Sequence, residues 1–314
     1  MTGRVRRSWL LVPITKPNSK EDKLATAPLA GADVVVLDLT EFVAEGDKPA
    51  AREMVAAAIS QVSAGGAEVF AQVDPELMYA DLHACVWPGL SGVIIARLES
   101  PSQVVEASDM LTQLEEARGI QPNTLEIVAS LETSQGNLHG YEIATASPRV
   151  WGLTLGRADL VMDLRPEPSG EIHLMQYLMQ RLITIANAAG VVPLGAWWRA
   201  PDRGLLATPE DTYRAAFRGR AIGFKGCFCV QEDQVASLNQ GFTPTDFEVG
   251  TARNLLEAYG ESVAQGQAAF RWEDRIADAG AAAQARGLAD LAAACAARDE
   301  AKLAALEQRP LPAP

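Results

Sequence analysis

The chain has 314 residues, 48% of them hydrophobic, and a net charge of −13 at pH 7. That charge argues against non-specific partners such as nucleic acid or an anionic membrane surface, and no apolar run reaches the ~18 residues of a membrane-spanning helix. The length suits one large α/β barrel or two ordinary domains. Arg4, Arg6 and Arg7 make the first residues basic, but only a short strand-like run follows before Pro13. A secretory signal needs a longer apolar core, so the expected location is cytoplasmic. Cys85, Cys227, Cys229 and Cys295 form no Cys-x-x-Cys pair and read as reduced core thiols.

In chain order, short β-rich apolar runs alternate with longer helical patterns. Strands are predicted at 9–13, 32–39, 68–73, 92–96, 125–131, 150–155, 191–195 and 227–230. Helices are predicted at 19–30, 48–63, 77–86, 100–118, 137–146, 174–189 and 208–222, several behind a cap residue such as Ser19, Ser100 or Thr208. Near-continuous apolar strands such as Val34-Val35-Val36-Leu37 suit a parallel sheet covered on both faces. Eight such units in roughly 230 residues match a (β/α)8 TIM barrel in count and size. A doubly wound sheet is the alternative, but no Gly-x-Gly-x-x-Gly follows an early strand.

The expected organisation is a barrel over 1–242, a C-terminal helical lid and oligomer-contact segment over 243–308, and a disordered tail over 309–314. Within the second segment a helix is expected at 243–259 and an Ala-rich helix ending near Leu306.

Functional groups on such a barrel sit at the C-terminal ends of the strands. Those positions hold Asp38, Gln72, Arg97, Glu132, Asp159 and Gln231. Glu132 and Asp159 each follow an otherwise apolar strand, an arrangement that a hard cation such as Mg²⁺ favours. The bland reading of this ring is ordinary loop polarity. Trp197 and Trp198 either shape a substrate pocket or anchor a subunit interface. Lys16, Lys20 and Lys23 read as solvated lysines or as a phosphate contact. His83, His139 and His173 form no metal-ligand spacing, and no Gly-x-Ser-x-Gly supports a serine nucleophile.

Several blocks together carry a family resemblance. They are Arg7-Ser8-Trp9-Leu10-Leu11-Val12-Pro13, Gly31-Ala32-Asp33 running into Asp38-Leu39, Leu131-Glu132-Thr133 through Gly136, Ser147-Pro148-Arg149, and Gly156 to Asp159-Leu160. With Gly223-Phe224, Gln234-Val235 and Phe242-Thr243-Pro244, these blocks resemble the citrate lyase β-subunit-like branch of the HpcH/HpaI aldolase superfamily, from about residue 6 to about residue 286. The resemblance implies a (β/α)8 barrel, a homotrimer or homohexamer, and Mg²⁺ held by Glu132 and Asp159. It also implies cleavage or formation of a carbon–carbon bond in a 3-hydroxyacyl thioester of the malyl-, citramalyl- or citryl-coenzyme A kind. The small-molecule partners would then be an acyl thioester and a carbonyl compound. Asp278 is the implied lid acid, reaching the site from a neighbouring subunit as acid or base.

The sequence departs from the family pattern at the substrate side. Gln72 stands where the family has an arginine, Arg97 where it has a lysine, Thr40-Glu41 where it has Glu-Asp, and Gln231 where it has a histidine. Gln72, Arg97, Asp38 and Trp197 are therefore the expected substrate-binding residues, with Gln72 and Arg97 also in catalysis. Three readings of the lost arginine stay open: Arg97 supplies the charge, the carbonyl partner lacks a carboxylate, or lyase activity is gone. The functional alternatives are a hydroxyacyl-CoA thioesterase, a coenzyme A-free aldolase, and a non-catalytic barrel subunit.

Overall fold

The computed structural model describes residues 4–14, 23–164, 171–198 and 207–308. Lys16, Lys20, Arg199 and the tail from 309 lie outside them, and the side chain of His173 is likewise not described.

Eight parallel strands form one sheet: β1 (Ser8–Pro13), β2 (Val34–Asp38), β3 (Glu68–Val73), β4 (Leu90–Ile95), β5 (Glu126–Ser130), β6 (Val150–Thr154), β7 (Val192–Leu194) and β8 (Cys227–Cys229). Each pairs with the next in sequence from β1 to β7, and β8 returns to pair with β1. Two backbone hydrogen bonds bridge the remaining seam, from Gly195 N to Gly226 O at 2.7 Å and from Lys225 N to Pro193 O at 3.0 Å. The expected TIM barrel is therefore present.

The helices around it are α1 (Lys48–Ser63), α2 (Met78–Cys85), α3 (Pro101–Ala117), α4 (Ser134–Leu138), α5 (Gly140–Thr145), α6 (Arg157–Leu164), α7 (Glu171–Ala189), α8 (Pro209–Ile222) and α9 (Asp233–Phe242). Their starts follow capping rules: Ser100 and Gln103 form a capping box on α3, and Thr208 accepts the Asp211 amide on α8. Where one helix was expected over 137–146, α4 and α5 lie end to end with a break at His139. Of the helix expected over 19–30, the described part holds only a 3-10 turn at Ala27–Leu29, with Pro28 inside it.

Two apolar layers follow from the period-two alternation of the strands. Outward residues such as Leu10, Val12, Val35, Leu37, Val69 and Ala71 join the helices in the larger core. Cys227 and Cys229, two positions apart, share that outward face. Inward residues Trp9, Leu11, Val34, Val36, Phe70, Ile94, Val128 and Leu194 fill the lumen. Trp9 packs on Phe70, Phe228 and Trp151 with ring centroids 4.9, 5.3 and 5.6 Å apart.

Below these rings sits Arg6, its guanidinium 4.3 Å from the Trp151 ring centroid and paired with Glu68 at 2.6 Å and Glu126 at 2.5 Å. On the outer layer, Arg149 grips buried Glu115 with both terminal nitrogens, and Glu115 also accepts the amides of Asn123, Thr124 and Leu125. Burial alone would raise the Glu115 carboxyl, but Arg149 and those amides outweigh it and hold the group below its ordinary range. The arginine of Ser147-Pro148-Arg149 thus fastens β6 to α3. Arg7 grips Asp33 through Nε and Nη2, and its backbone amide also donates to Asp33 Oδ2.

Arg6–Phe242 form the larger of two compact units, and Thr243–Leu303 belong to the smaller. The smaller unit holds α10 (Asp246–Ala264), an antiparallel hairpin of β9 (Ala269–Trp272) and β10 (Arg275–Asp278), and most of α11 (Ala279–Glu307). Thr245 and Glu248 form a capping box on α10. Among the described residues, no helix is long and apolar enough to cross a membrane.

Candidate active site at the barrel mouth

The lumen parity explains how the mouth acquires its polar groups. On β2 the inward series Val34, Val36 continues to Asp38; on β3, Phe70 continues to Gln72; on β5, Val128 continues to Ser130 and Glu132. A run of apolar residues therefore fills the barrel from below and polar side chains cap it.

Glu132 lies between the end of β5 and the start of α4. Leu131 N donates to Thr154 O at 2.9 Å, and Thr133 caps α4 by accepting the Gly136 amide at 3.0 Å. Two glycines of the motif are steric necessities. A Cβ on Gly136 would lie 2.1 Å from Leu98 O, and one on Gly156 would lie 2.2 Å from Glu132 Cγ. Gly156 thus forms the cradle that receives the Glu132 side chain. Just beyond it, α6 begins, and Asp159 sits in its first turn.

Glu132 and Asp159 come together, and Glu41 joins them. One carboxylate oxygen from each lies within 4.8 Å of the other two. Glu132 is only 5% exposed, and its Oε2 is buried without a hydrogen-bond partner. Its carboxyl is pushed up to about 7, first by burial and then by the charges of Asp159 and Glu41, against a lowering hydrogen bond from Ser130. Glu41 is raised too, chiefly by burial and then by Asp159 and Asp38. Three acids with an orphaned buried oxygen form an unsatisfied anionic site, which a divalent cation with oxygen ligands would complete. The residues present fit Mg²⁺.

The remaining mouth residues are more tightly engaged. Asp38 is fully buried: Oδ1 accepts the Thr40 amide at 3.0 Å and the Thr40 hydroxyl at 2.6 Å, and Oδ2 accepts the Phe42 amide at 2.9 Å. Its carboxylate shapes the loop that carries Glu41. Gln72 donates from Nε2 to Thr40 Oγ1 at 2.9 Å, which fixes the amide beside that loop. Arg97 follows β4 in a left-handed conformation (φ 45°), with its neighbours tied to the flanking strands: Ala96 N donates to Val73 O and Leu98 N to Ser130 O. A non-glycine residue there is strained by roughly 1–2 kcal/mol, and such outliers gather at functional sites. The guanidinium donates to Asp74 Oδ2 at 2.7 Å.

The other sequence candidates make contacts of their own. Trp197 and Trp198 are half-buried and pack against the outer core, with Trp197 N donating to Ala215 O at 3.0 Å. Lys23 donates to Val230 O at 2.7 Å, at the end of β8. Gln231 is half-buried, its carbonyl accepting the Gln234 amide. His83 stacks on Tyr79, and His139 meets Gln135. Asp278 ends β10 in the smaller unit, exposed, and accepts the Ala281 amide at the start of α11 at 2.9 Å.

Residues 12–232 match the HpcH/HpaI aldolase/citrate lyase family. The chain belongs to this family. Its members include carbon–carbon lyases, and two curated relatives illustrate the range. The citrate lyase subunit beta of Leuconostoc mesenteroides is 25% identical over 278 residues, covering 88% of this chain and 89% of the relative. The L-malyl-CoA/beta-methylmalyl-CoA lyase of Rhodobacter capsulatus is 26% identical over 307 residues, covering 90% and 93%. Among solved structures, the CitE protein of Mycobacterium tuberculosis in complex with magnesium, acetoacetate and coenzyme A superposes with a TM-score of 0.71. It shares 22% identity and covers 92% of this chain and 98% of its own. At that identity the likeness speaks to the fold, and the fold is the same barrel.

Proposed function

We propose that the protein is a Mg²⁺-dependent carbon–carbon lyase or aldolase acting on a 3-hydroxyacyl thioester, with coenzyme A as the carrier. The observation that carries this reading is the buried, partnerless Glu132 Oε2 within the Glu41–Glu132–Asp159 trio. The lyase relatives and the magnesium- and coenzyme A-bound neighbour support the same chemistry.

Glu132 and Asp159 hold the ion, which when bound supplies a Lewis acid for the oxygen that changes between alkoxide and carbonyl. In the cleavage direction a base takes the hydroxyl proton and the bond between C2 and C3 breaks. C3 and its oxygen become the carbonyl product, and the electron pair goes to C2 as a thioester enolate. That enolate is protonated at C2, and Asp278, brought by a neighbouring subunit of a homo-oligomer, is the proposed acid. Gln72 offers an amide to the carbonyl partner, and Arg97 the guanidinium nitrogens that Asp74 leaves free. Trp197, on the loop that follows β7, is the proposed apolar neighbour of the substrate.

The test is Glu132→Gln and Asp159→Asn, assayed with malyl-, citramalyl- and citryl-CoA by separate detection of free thiol and carbonyl product. Turnover should fall by roughly 10²–10³-fold, as when a principal electrostatic group is removed, and Mg²⁺ binding by calorimetry should disappear. Thiol release without carbonyl product would identify a thioesterase instead.

A further inference from the structure

Asp74, which holds Arg97, is itself held on every side. It directly follows β3 and caps the 3-10 turn Pro75–Leu77, its Oδ1 accepting the Glu76 amide at 3.0 Å, so that Oδ2 is left for Arg97 Nη2 at 2.7 Å. Its own amide donates to Asp81 Oδ2 at 3.1 Å, and fully buried Asp81 accepts Arg52 Nε at 2.8 Å on its other oxygen. Arg97 is confined from its backbone too. Its left-handed residue (φ 45°) lies between buried Ala96 and buried Leu98, bound to Val73 O and Ser130 O. Ser130 stands two residues before Glu132, and the Arg97 charge bears on both Glu132 and Glu41. Among the described residues, Arg97 Nε and Nη1 make no hydrogen bond with the protein.

We propose that Asp74 is a positioning residue, and that Arg97, held by it, grips the carboxylate of the carbonyl partner with its remaining nitrogens; this rests on the lyase reading above, with a 2-oxo acid as that partner. A planar guanidinium with nitrogens to spare matches a carboxylate in shape as well as charge. An arginine in open solvent gives up rotamer freedom when it takes an anion, whereas one already fixed at backbone and tip has little left to lose. Asp74 also places a negative charge near that anion. Simple repulsion and positioning therefore predict opposite signs for its removal.

Calorimetry on the full chain with saturating Mg²⁺, titrating glyoxylate and pyruvate, reads that sign. Asp74→Asn keeps the Oδ1 cap and loses the ion pair. Binding of the better-bound acid should weaken by about tenfold, with Mg²⁺ affinity and Tm little changed. Unchanged or tighter binding would overturn the proposal, and weaker binding with a large fall in Tm would make Asp74 a structural cap instead. Arg97→Gln should lose at least as much, and adding Asp74→Asn to it should cost nothing further, because no guanidinium remains to position. Additive losses would overturn the proposal, as would failure of the unaltered protein to bind either acid. The lyase reading is checked separately with acetyl-CoA and the same acid, the hydroxyacyl-CoA product being read by mass spectrometry. Absence of product beside the expected binding losses would overturn that reading and leave the grip on the acid standing.

Discussion

The two ends of the barrel treat buried charge in opposite ways. At the floor and along the outer layer, each of the buried charges described above has its counter-ion. Arg6 lies between Glu68 and Glu126 under an aromatic layer, Arg7 grips Asp33, and Arg149 grips Glu115. At the mouth, Glu132 and Glu41 face Asp159 and each other, and Glu132 keeps an orphaned oxygen. Satisfied pairs tie strand to strand and, at Arg149–Glu115, strand to helix, whereas the unsatisfied trio destabilises the ligand-free fold in return for a site that a cation completes. The contrast separates what keeps the chain folded from what makes it reactive.

The satisfied pair of the outer layer should break hardest. Arg149→Met leaves Glu115 charged and buried with backbone amides alone, and should lower stability by about 3–5 kcal/mol; urea unfolding would read this as a lower midpoint. A shift below 1 kcal/mol would show that the amides of 123–125 suffice. At the mouth the sign reverses. The Glu132 carboxyl titrates near 7 in the folded protein, against an ordinary 4.5. Between those values the folded state keeps a proton that the unfolded chain has released. Stability of the metal-free protein should therefore decline as pH rises from about 4.5 through 7, by about 3 kcal/mol in all. Thermal melts across that range should show the slope, and Mg²⁺ should flatten it by its effect above pH 7; a metal-free profile that rises instead would refute the assignment.

Gly156→Ala sharpens the comparison without altering any charge. The added Cβ meets Glu132 Cγ at 2.2 Å and must displace the side chain. Metal affinity should drop by roughly 10–100-fold, the range seen when the support of a ligand is lost, while unfolding midpoints move little. Smallest in stability is Arg97→Gly. It relieves the left-handed conformation, worth about 1 kcal/mol, and removes a part-exposed pair of similar or lesser value. Little change in Tm with a clear rise in KM is expected; a large fall in Tm would make Arg97 a structural residue.

All eight strands were legible in the sequence to within a residue or two, because lumen and helix layer both demand apolar side chains and leave long apolar runs. The long amphipathic helices were equally plain. What escaped detection was set by local geometry. Glu41 lies three residues beyond β2, so a strand-end reading selects Asp38; only the loop that Asp38 itself organises through Thr40 and Phe42 carries Glu41 back to the trio. The Glu132–Asp159 pairing was readable because Glu132 continues the inward parity of β5. Asp159 instead arrives on α6, a helix too short to leave a periodic signal. The β9–β10 hairpin turns through Glu273 at φ 52° and Asp274, without the Asn-Gly or Asp-Gly pair that usually marks such a turn.

The aromatic layer of Trp9, Phe70, Trp151 and Phe228, stoppered by Arg6, has a consequence for traffic. With the lumen filled from below, molecules reach the trio through the mouth alone, and they leave by the same opening. Two products that share one exit depart in sequence, the outer before the inner. Ordered release is the expected outcome for a pocket of this form, and product-inhibition kinetics would check it: the inner product should compete with the substrate that occupies its place.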